Sequence, residues 1–184
     1  MNSETLPIIT TPRVVLRWIS EDDIDSVYEI FSDPRVMRYW STVPLPDREA
    51  AAELQREIAE SNESDSMLKW GLALRDSNKV IGTTTLFHLN LDNGRAELGY
   101  AMGSAHWGKG YMHEALNALV SHAFEIMDLR RLEADVDPRN VASIRTLEKL
   151  GFQREGFLRE RWHVNGEIQD AFFYGLLRRE WLKK

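Results

Sequence analysis

A glycine-rich stretch at residues 107–112, Trp-Gly-Lys-Gly-Tyr-Met, has the residue types that bind phosphate groups. Gly108 and Gly110 allow the backbone to approach a ligand closely, and Lys109 adds a positive charge. An amphipathic helical pattern follows at once, so free backbone N–H groups and the positive end of the helix dipole would face an anion. Two glycines can also do no more than shape a tight turn. We therefore predict an anion site here, with a purely structural turn as the alternative.

Three common motifs for phosphates and metals do not match this stretch. A Walker A loop would need Ser or Thr after Gly-Lys, where this chain has Gly110. A Rossmann fingerprint would need a third glycine at the position of His113. The pair His113-Glu114 begins like a zinc-protease helix, but the second histidine would fall at Asn117. The anion is therefore expected to bind to a loop of another type, and no metal site is predicted.

A second candidate segment is Asp-Pro-Arg-Asn at residues 137–140, which follows a strand pattern and precedes a helix pattern. Asn140 can cap this helix by accepting a hydrogen bond from a first-turn N–H group, so a structural role and a ligand role both stay open. Gly151 suits the left-handed cap at the other end, with Phe152 just beyond it. The helical period points four apolar residues inward: Val141, Ile144, Leu147 and Leu150.

The order of the predicted elements indicates how these segments are positioned. Alternation predicts strands at 13–19, 68–75, 79–90, 94–103 and 131–137, and two further C-terminal strands joined at Asn165-Gly166. Helical periodicity predicts helices at 21–32, 47–61 and 140–150, and one that follows the glycine turn. Three antiparallel strands followed by a strand–helix–strand crossover predict a mixed sheet rather than a doubly wound parallel one.

These motifs and their order resemble the GNAT N-acetyltransferase superfamily, most closely its ribosomal-protein N-terminal acetyltransferase (Rim-type) branch. The resemblance spans nearly the whole chain, from Thr11-Pro12-Arg13 to Asp170 and Tyr174. It is carried by Glu97-Leu98-Gly99-Tyr100, by the glycine turn with Glu114-Ala115, and by Asn140-x-x-Ser143 with Leu150-Gly151-Phe152. It implies an α/β (mixed α+β) fold of the GNAT-like acyl-CoA N-acyltransferase type, with a central mixed sheet and helices on both faces.

The resemblance also implies acetyl-CoA as the co-substrate. Its pyrophosphate would lie on the glycine turn, and its pantetheine arm would lie between two splayed parallel strands, 95–103 and 131–137. A backbone N–H group near Met102 would stabilise the oxyanion. The residues that the resemblance assigns to acetyl-CoA binding are Ala101, Met102, Gly103, Trp107, Gly108, Lys109, Gly110, Tyr111, Met112, Asn140 and Ser143.

Two residues are candidates for the chemistry of acetyl transfer. The resemblance implies that Glu97 accepts the proton of the amine directly or through water; the alternative is a surface glutamate paired with Arg95 or Arg131. Many GNAT enzymes have a tyrosine seven residues after the asparagine, but that position here is Leu147. The Rim-type branch has a serine instead, here Ser143, which would stabilise the CoA thiolate by a hydrogen bond. The alternative for this serine is a hydroxyl that caps the helix.

The acceptor is expected to be a primary amine. The Rim-type resemblance favours a protein N-terminal α-amine, as in ribosomal protein acetylation; the alternatives are a small-molecule amine or a non-catalytic acyl-CoA-binding module. Four residues are candidates to line the acceptor cleft, although aromatic residues of a mixed α/β domain more often belong to its core. They are Trp18, Tyr39, Trp40 and His88.

Composition narrows the class of protein further. The 184 residues contain no linker or repeat pattern and predict one N-acetyltransferase domain over 1–184. The absence of cysteine excludes a disulfide framework, a thiolate metal site and a cysteine nucleophile. A formal net charge of −6 argues against general nucleic-acid binding. With no N-terminal hydrophobic segment and no 18-residue apolar run, we expect a cytoplasmic protein without membrane contacts; the resemblance also allows a homodimer.

Overall fold

A computed structural model describes residues 6–64 and 67–183 of the chain. Within these residues, eight strands form one sheet in the order β1-β2-β3-β4-β5-β6-β8-β7. Neighbouring strands are antiparallel except for β5 and β6, which are parallel. The sheet is therefore mixed, as predicted. The strands are β1 (Ile9–Thr10), β2 (Val14–Arg17), β3 (Met67–Leu74), β4 (Val80–Asn90), β5 (Arg95–Met102), β6 (Arg131–Val136), β7 (Gln153–Val164) and β8 (Glu167–Leu177).

Helices cover both faces of this sheet, as the resemblance implied. Among the described residues they are α1 (Ile24–Phe31), α2 (Pro34–Met37), α3 (Arg48–Glu63), α4 (Tyr111–Ser121), α5 (Val141–Leu150) and α6 (Arg178–Trp181). One buried cluster joins residues of α1, α2 and α3 to Ala101 of β5. The other joins residues of α4 and α5 to Leu98 and Met102. Successive residues of β5 therefore face different helix layers, as strand geometry requires.

The short-range predictions are mostly confirmed, because each depends on a local backbone conformation. Gly151 has φ +91° at the end of α5, and Asn165 and Gly166 have φ +48° and +82° in the hairpin between β7 and β8. The predicted helix 21–32 begins instead as a 3-10 turn, Glu21–Asp23, and α1 follows it.

One predicted core residue is exposed. The side chain of Val141 is 50% exposed, although the sequence analysis predicts that it points inward with Leu147 and Leu150. Val141 is the first residue of α5, and the packed part of this helix begins one turn later, where Ile144 contacts the core. The prediction of an inward Val141 was wrong because repeated steps of three residues drift around the helix: at 3.6 residues per turn, Val141 lies about 120° from Leu147 and about 180° from Leu150.

The parallel strands β5 and β6 separate along their length. They pair only over Arg95–Glu97 and Arg131–Glu133, whereas β5 continues to Met102 and β6 continues to Val136. Beyond Glu97, the peptide groups of β5 that face β6 have no strand partner there. This gap opens toward the glycine turn and toward the start of α5, so the fold brings the two predicted segments to one place.

Candidate active site

The glycine turn has the backbone geometry of an anion-binding helix N-terminus. Gly108 and Gly110 have φ +74° and +80°, which is the left-handed region that favours glycine. Gly110 is the N-terminal cap of α4, and the N–H of Glu114 makes a helical bond to the Gly110 carbonyl at 3.1 Å. The N–H groups of the residues between them therefore have no helical acceptor. Free N–H groups at the positive end of a helix fit a pyrophosphate.

Two side chains of the turn donate hydrogen bonds to backbone carbonyls that precede it in the chain. The indole Nε1 of Trp107 donates to the Met102 carbonyl at 2.7 Å. The ammonium of Lys109 donates to the Ala105 carbonyl at 3.1 Å. Both side chains therefore hold the loop between β5 and α4 in shape. A direct contact between Lys109 and phosphate stays a prediction.

A buttress supports the turn; it consists of Thr11 and Arg13, which lie between β1 and β2, and Glu114 of α4. The sequence pattern indicated no functional role for these three residues. Arg13 donates from Nη1 to the Lys109 carbonyl at 3.0 Å and from Nε to Glu114 at 2.6 Å. Glu114 also accepts from the Thr11 hydroxyl at 2.6 Å and from the Arg13 N–H at 2.9 Å. Because the C=O and N–H of a trans peptide point in opposite directions, holding the Lys109 carbonyl on Arg13 directs the Gly110 N–H away from Arg13.

The buttress leads to a prediction about stability. Burial would raise the pKa of Glu114, but hydrogen bonds from Thr11 and Arg13 outweigh it and hold that pKa below its usual value. The contribution of Glu114 is then present above the ordinary glutamate pKa and is lost as the pH falls through the folded-state pKa. We expect Glu114→Gln to lower the free energy of unfolding by ~1 kcal/mol at pH 7.

Urea unfolding at pH 7 and at pH 3 checks this prediction. The difference between the variant and the wild-type protein should be smaller at pH 3, because the contribution of the charged carboxylate decreases as the pH falls below the ordinary glutamate pKa. An equal difference at both pH values would mean that shape, rather than charge, makes Glu114 important.

The backbone of Met102 faces the gap between β5 and β6. Met102 lies opposite Gly82 of β4, and the neighbouring Gly103 donates its N–H to the Ile81 carbonyl at 2.9 Å. Because alternate residues of an antiparallel strand bond to the same neighbour, the N–H and C=O of Met102 point to the other edge of β5. The Trp107 indole bound to the Met102 carbonyl agrees with this direction. The Met102 N–H is thus available as an oxyanion donor.

Ser143 contacts a residue whose role the sequence did not reveal, Tyr100. The two hydroxyl oxygens are 2.7 Å apart, and the Tyr100 hydroxyl also lies 3.3 Å from the Ser143 carbonyl. Burial raises the pKa of Tyr100, so its phenol stays protonated and can donate. Asn140 accepts a hydrogen bond from the Ser143 N–H at 3.2 Å, so its capping role is present. Leu147 is buried in the core with 1% exposure and provides no polar group.

Glu97 forms a hydrogen bond with His88 instead of an arginine. The His88 Nδ1 lies 2.9 Å from a Glu97 carboxylate oxygen, and the two side chains are 64% and 16% exposed. The alternative pairing with Arg95 or Arg131 is wrong, because both arginines contact Glu133, at 3.4 and 2.7 Å. His88 has φ +48° and lies where the pairing between β4 and β5 shifts register. A non-glycine residue in that conformation is uncommon and is often found at functional sites.

The remaining aromatic candidates have mostly structural contacts. Trp40 packs edge-on against Phe31 at 5.6 Å between ring centroids and belongs to the cluster under α1 and α3. The Tyr39 ring has the guanidinium groups of Arg38 and Arg139 at 5.2 and 5.7 Å. This contact joins the end of α2 to the loop before α5. Trp18 is half-buried.

The two pairs of polar side chains, Glu97 with His88 and Tyr100 with Ser143, lie on opposite faces of β5. Because successive side chains of a strand point to opposite faces, Glu97 shares with Ala101 the face of β5 that α1 and α3 cover. Tyr100 shares with Met102 the face that α4 and α5 cover. The Glu97 carboxylate and the hydroxyl pair of Ser143 and Tyr100 therefore lie on opposite faces of the strand that borders the gap.

The family model described as the acetyltransferase (GNAT) domain matches residues 13–153, which is most of the chain. The chain belongs to the GNAT acetyltransferase family. A relative from Bacillus licheniformis, the uncharacterized N-acetyltransferase p20, is 34% identical over 171 residues, which cover 93% of this chain and 96% of the relative. Relatives and structural neighbours are N-acetyltransferases, and this protein is accordingly an enzyme of that class rather than a non-catalytic binding module.

Two solved structures are equally similar to this chain, but their names state different acceptors. The ribosomal-protein-S5-alanine acetyltransferase from Vibrio fischeri is 22% identical with a TM-score of 0.81, covering 95% of this chain and 98% of that one. The spermidine N-acetyltransferase from Vibrio cholerae, solved with CoA and spermine, is also 22% identical with a TM-score of 0.81, covering 94% and 99%. At this identity the likeness establishes the fold, and both acceptors remain candidates.

The described residues show neither a metal-binding cluster nor a membrane-spanning helix. Residues 6–64 and 67–183 contain no group of three or more histidine, aspartate or glutamate side chains placed to hold a metal ion. No helix in these ranges has the length and apolar character needed to cross a membrane.

Proposed function

We propose that this enzyme transfers the acetyl group of acetyl-CoA to a primary amine by direct attack, and that a protein N-terminal α-amine is the favoured acceptor. The observation that carries the proposal is the placement of Glu97 with His88 on one face of β5 and of Ser143 with Tyr100 on the other, beside the gap. When bound, acetyl-CoA supplies an activated acetyl thioester. The gap, the Met102 N–H and the free N–H groups after Gly110 fit the shape and charge of this co-substrate.

In the proposed reaction, the N–C bond forms and the C–S bond breaks, while Glu97 takes the proton of the amine directly or through water. Because Glu97 must be ionised to accept this proton, the hydrogen bond at 2.9 Å requires that the Nδ1–H of His88 donates to its carboxylate. This bond orients the half-buried carboxylate, and the proton passes from Glu97 to solvent through water. The Met102 N–H donates to the thioester oxygen as negative charge develops there.

The hydroxyl pair acts on the leaving group. When Tyr100 donates to the Ser143 oxygen, the Ser143 O–H is free to donate to the thiolate, and the first hydrogen bond strengthens the second. A serine hydroxyl is too weak an acid to protonate the thiolate fully, so hydrogen bonding is its proposed role. Tyr100 thus takes part in a function that many GNAT enzymes give to a tyrosine at the position of Leu147.

The prediction for this pair compares Ser143→Ala with Tyr100→Phe. We expect each to lower kcat by about tenfold with little change in acetyl-CoA affinity, because one hydrogen bond to a charged group contributes ~1.5–3 kcal/mol. The double variant should be hardly slower than Ser143→Ala, since Tyr100 acts through the serine. Steady-state CoA release with a saturating acceptor measures kcat for all three variants. Additive losses in the double variant would contradict the proposal that Tyr100 acts through Ser143.

Two considerations support a protein N-terminus as the acceptor. An α-amine has an ordinary pKa near 8, so it loses its proton more readily than a lysine or polyamine amine does. The Rim-type motifs Asn140-x-x-Ser143 and Leu150-Gly151-Phe152 are also present. The alternative is a small-molecule amine such as spermidine, which the Vibrio cholerae neighbour is named for.

The testing experiment combines calorimetric titration of acetyl-CoA with CoA-release assays on peptide N-termini and polyamines. Tight binding with release for peptides alone supports the favoured acceptor. Release for polyamines alone replaces it with the small-molecule alternative, and no binding of acetyl-CoA would overturn the whole proposal.

A further inference from the structure

A buried lysine lies on the acceptor face of the sheet, and the proposed reaction does not use it. Lys69 of β3 is only 8% exposed. It pairs with Thr85 of β4, and Thr85 pairs with Gly99 of β5. Directly opposed residues of antiparallel strands share a face, so Lys69 lies on the face that Glu97 and Ala101 share. Two strand spacings separate the Cα atoms of Lys69 and Gly99 by ~10 Å.

Among residues 6–64 and 67–183, no carboxylate lies within 4 Å of the Lys69 ammonium, and only the more distant Glu57 of α3 partly offsets the effect of burial on its pKa. Its Nζ lies 5.6 Å from the centroid of the Phe31 ring of α1. Its backbone is held by Asn62 of α3, which accepts from the Lys69 N–H at 2.7 Å and donates to the Lys69 carbonyl at 3.1 Å. Burial lowers the pKa of Lys69 to about 8. Burying a cation without a partner is costly, and such costs are found mainly at functional sites.

A second polar group on this face also has no partner. Thr83 lies two residues from Thr85 on β4, pairs with Gly71 and Ala101, and is fully buried. Its hydroxyl oxygen has no hydrogen bond among the described residues. Between Lys69 and Glu97 this face carries the small residues Thr85 and Gly99, and the ring of Phe87, which lies opposite Glu97, covers Gly99. In the described part of the chain, Lys69 and Thr83 are thus two polar groups without a hydrogen-bond partner on the same face of the sheet as the proposed base.

We propose that Lys69 binds an oxygen of the acceptor, a carbonyl or carboxylate within one or two residues of the reacting amine, and so selects amino-acyl acceptors over polyamines. This inference rests on the proposed function, because it assumes that the amine reacts beside Glu97. An ammonium donates well to such an oxygen and repels the second ammonium of a polyamine in a poorly solvated site. Lys69 is thus a specificity residue, and it does not take part in proton transfer.

The test replaces Lys69 with methionine, which keeps the length of the side chain and removes the charge. Because removing a buried unpaired charge relieves a desolvation cost, we expect Lys69→Met to fold and to bind acetyl-CoA as the wild-type protein does. The acceptors are a peptide with an N-terminal alanine, free alanine, spermidine and propylamine, which has no oxygen. The matched control is Lys79→Met, at an exposed lysine that pairs with Glu29.

The readout is the ratio of kcat/KM for the peptide to kcat/KM for propylamine. We expect Lys69→Met to lower this ratio at least tenfold, mainly by raising the KM for the peptide. The ratio of kcat/KM for spermidine to kcat/KM for the peptide should rise in the same variant. Lys79→Met should keep the wild-type value of both ratios. Free alanine distinguishes a carboxylate from a peptide carbonyl as the bound oxygen. An unchanged ratio in Lys69→Met overturns the inference.

The same assays separate this inference from the proposed function. If the wild-type enzyme acetylates spermidine and propylamine but neither amino-acyl compound, the role of Lys69 is overturned while amine acetylation stands. If acetyl-CoA binds and no amine releases CoA, the proposed function fails, and the inference that depends on it fails with it.

Discussion

Replacing Glu97 with glutamine is expected to lower kcat by two to three orders of magnitude at neutral pH, because a positioned general base contributes ~10²–10⁴-fold. Glutamine keeps the size of the side chain and can still contact His88, so the change removes proton acceptance and little else. Affinity for acetyl-CoA should stay at the wild-type value, since Glu97 lies on the face of β5 away from Ser143. Steady-state rates between pH 6 and 9 and calorimetric titration measure both quantities.

Two further variants test whether the loss of activity in Glu97→Gln arises from this carboxylate. Glu29→Gln changes an exposed glutamate that pairs with Lys79 and should keep the wild-type rate and pH profile. His88→Gln leaves the carboxylate but removes the Nδ1–H that orients it, so we expect a smaller loss of about tenfold and a changed pH profile. If Glu97→Gln matches the wild-type rate at every pH, Glu97 is not the base.

Local conformations could be predicted from the sequence because each requires particular residue types. The glycine turn, the Asn140 cap and the Asn165-Gly166 hairpin depend on left-handed φ angles or on a capping oxygen, and these requirements are visible in the residues. The order of the elements also predicted the mixed sheet, and the family resemblance implied the gap between residues 95–103 and 131–137. The structure confirms each of these features.

The contacts within the candidate site could not be predicted in the same way. The bond between Tyr100 and Ser143 joins residues 43 positions apart, and its existence depends on how α5 packs against β5. In the sequence, Tyr100 reads as one more apolar position of an alternating strand. The pair of His88 and Glu97 depends on a register shift between β4 and β5, which strand periodicity does not reveal.

Charged residues were the hardest to assign, because a charge in a sequence does not show its partner. The arginines expected near Glu97 contact Glu133, and the ammonium of Lys109 binds a carbonyl of its own loop. Lys69 had no assigned role because an isolated lysine in a strand pattern carries no signal of burial. Only the packing of α1 and α3 over β3 makes it a candidate for acceptor binding.

Replacing Gly110 with valine is expected to weaken acetyl-CoA binding by about two orders of magnitude. With φ +80° a β-branched residue is strained, and its Cβ would lie 3.4 Å from Nη2 of Arg13, in the buttress that orients the turn. The N–H groups at the start of α4 would then be displaced or covered, and losing one or two hydrogen bonds to a charged group costs ~1.5–3 kcal/mol each. Calorimetric titration with acetyl-CoA measures the change.

The matched control is Gly166→Val, because Gly166 has nearly the same φ, +82°, and open space around it in the hairpin between β7 and β8. It introduces the same backbone strain far from the turn, so it should lower stability while leaving acetyl-CoA affinity unchanged. If both variants bind acetyl-CoA equally well, the turn only shapes the chain and the pyrophosphate lies elsewhere. If only Gly110→Val loses affinity, the loss arises at the phosphate site, and kcat at saturating acetyl-CoA should recover toward the wild-type value because Glu97 and Ser143 are unchanged.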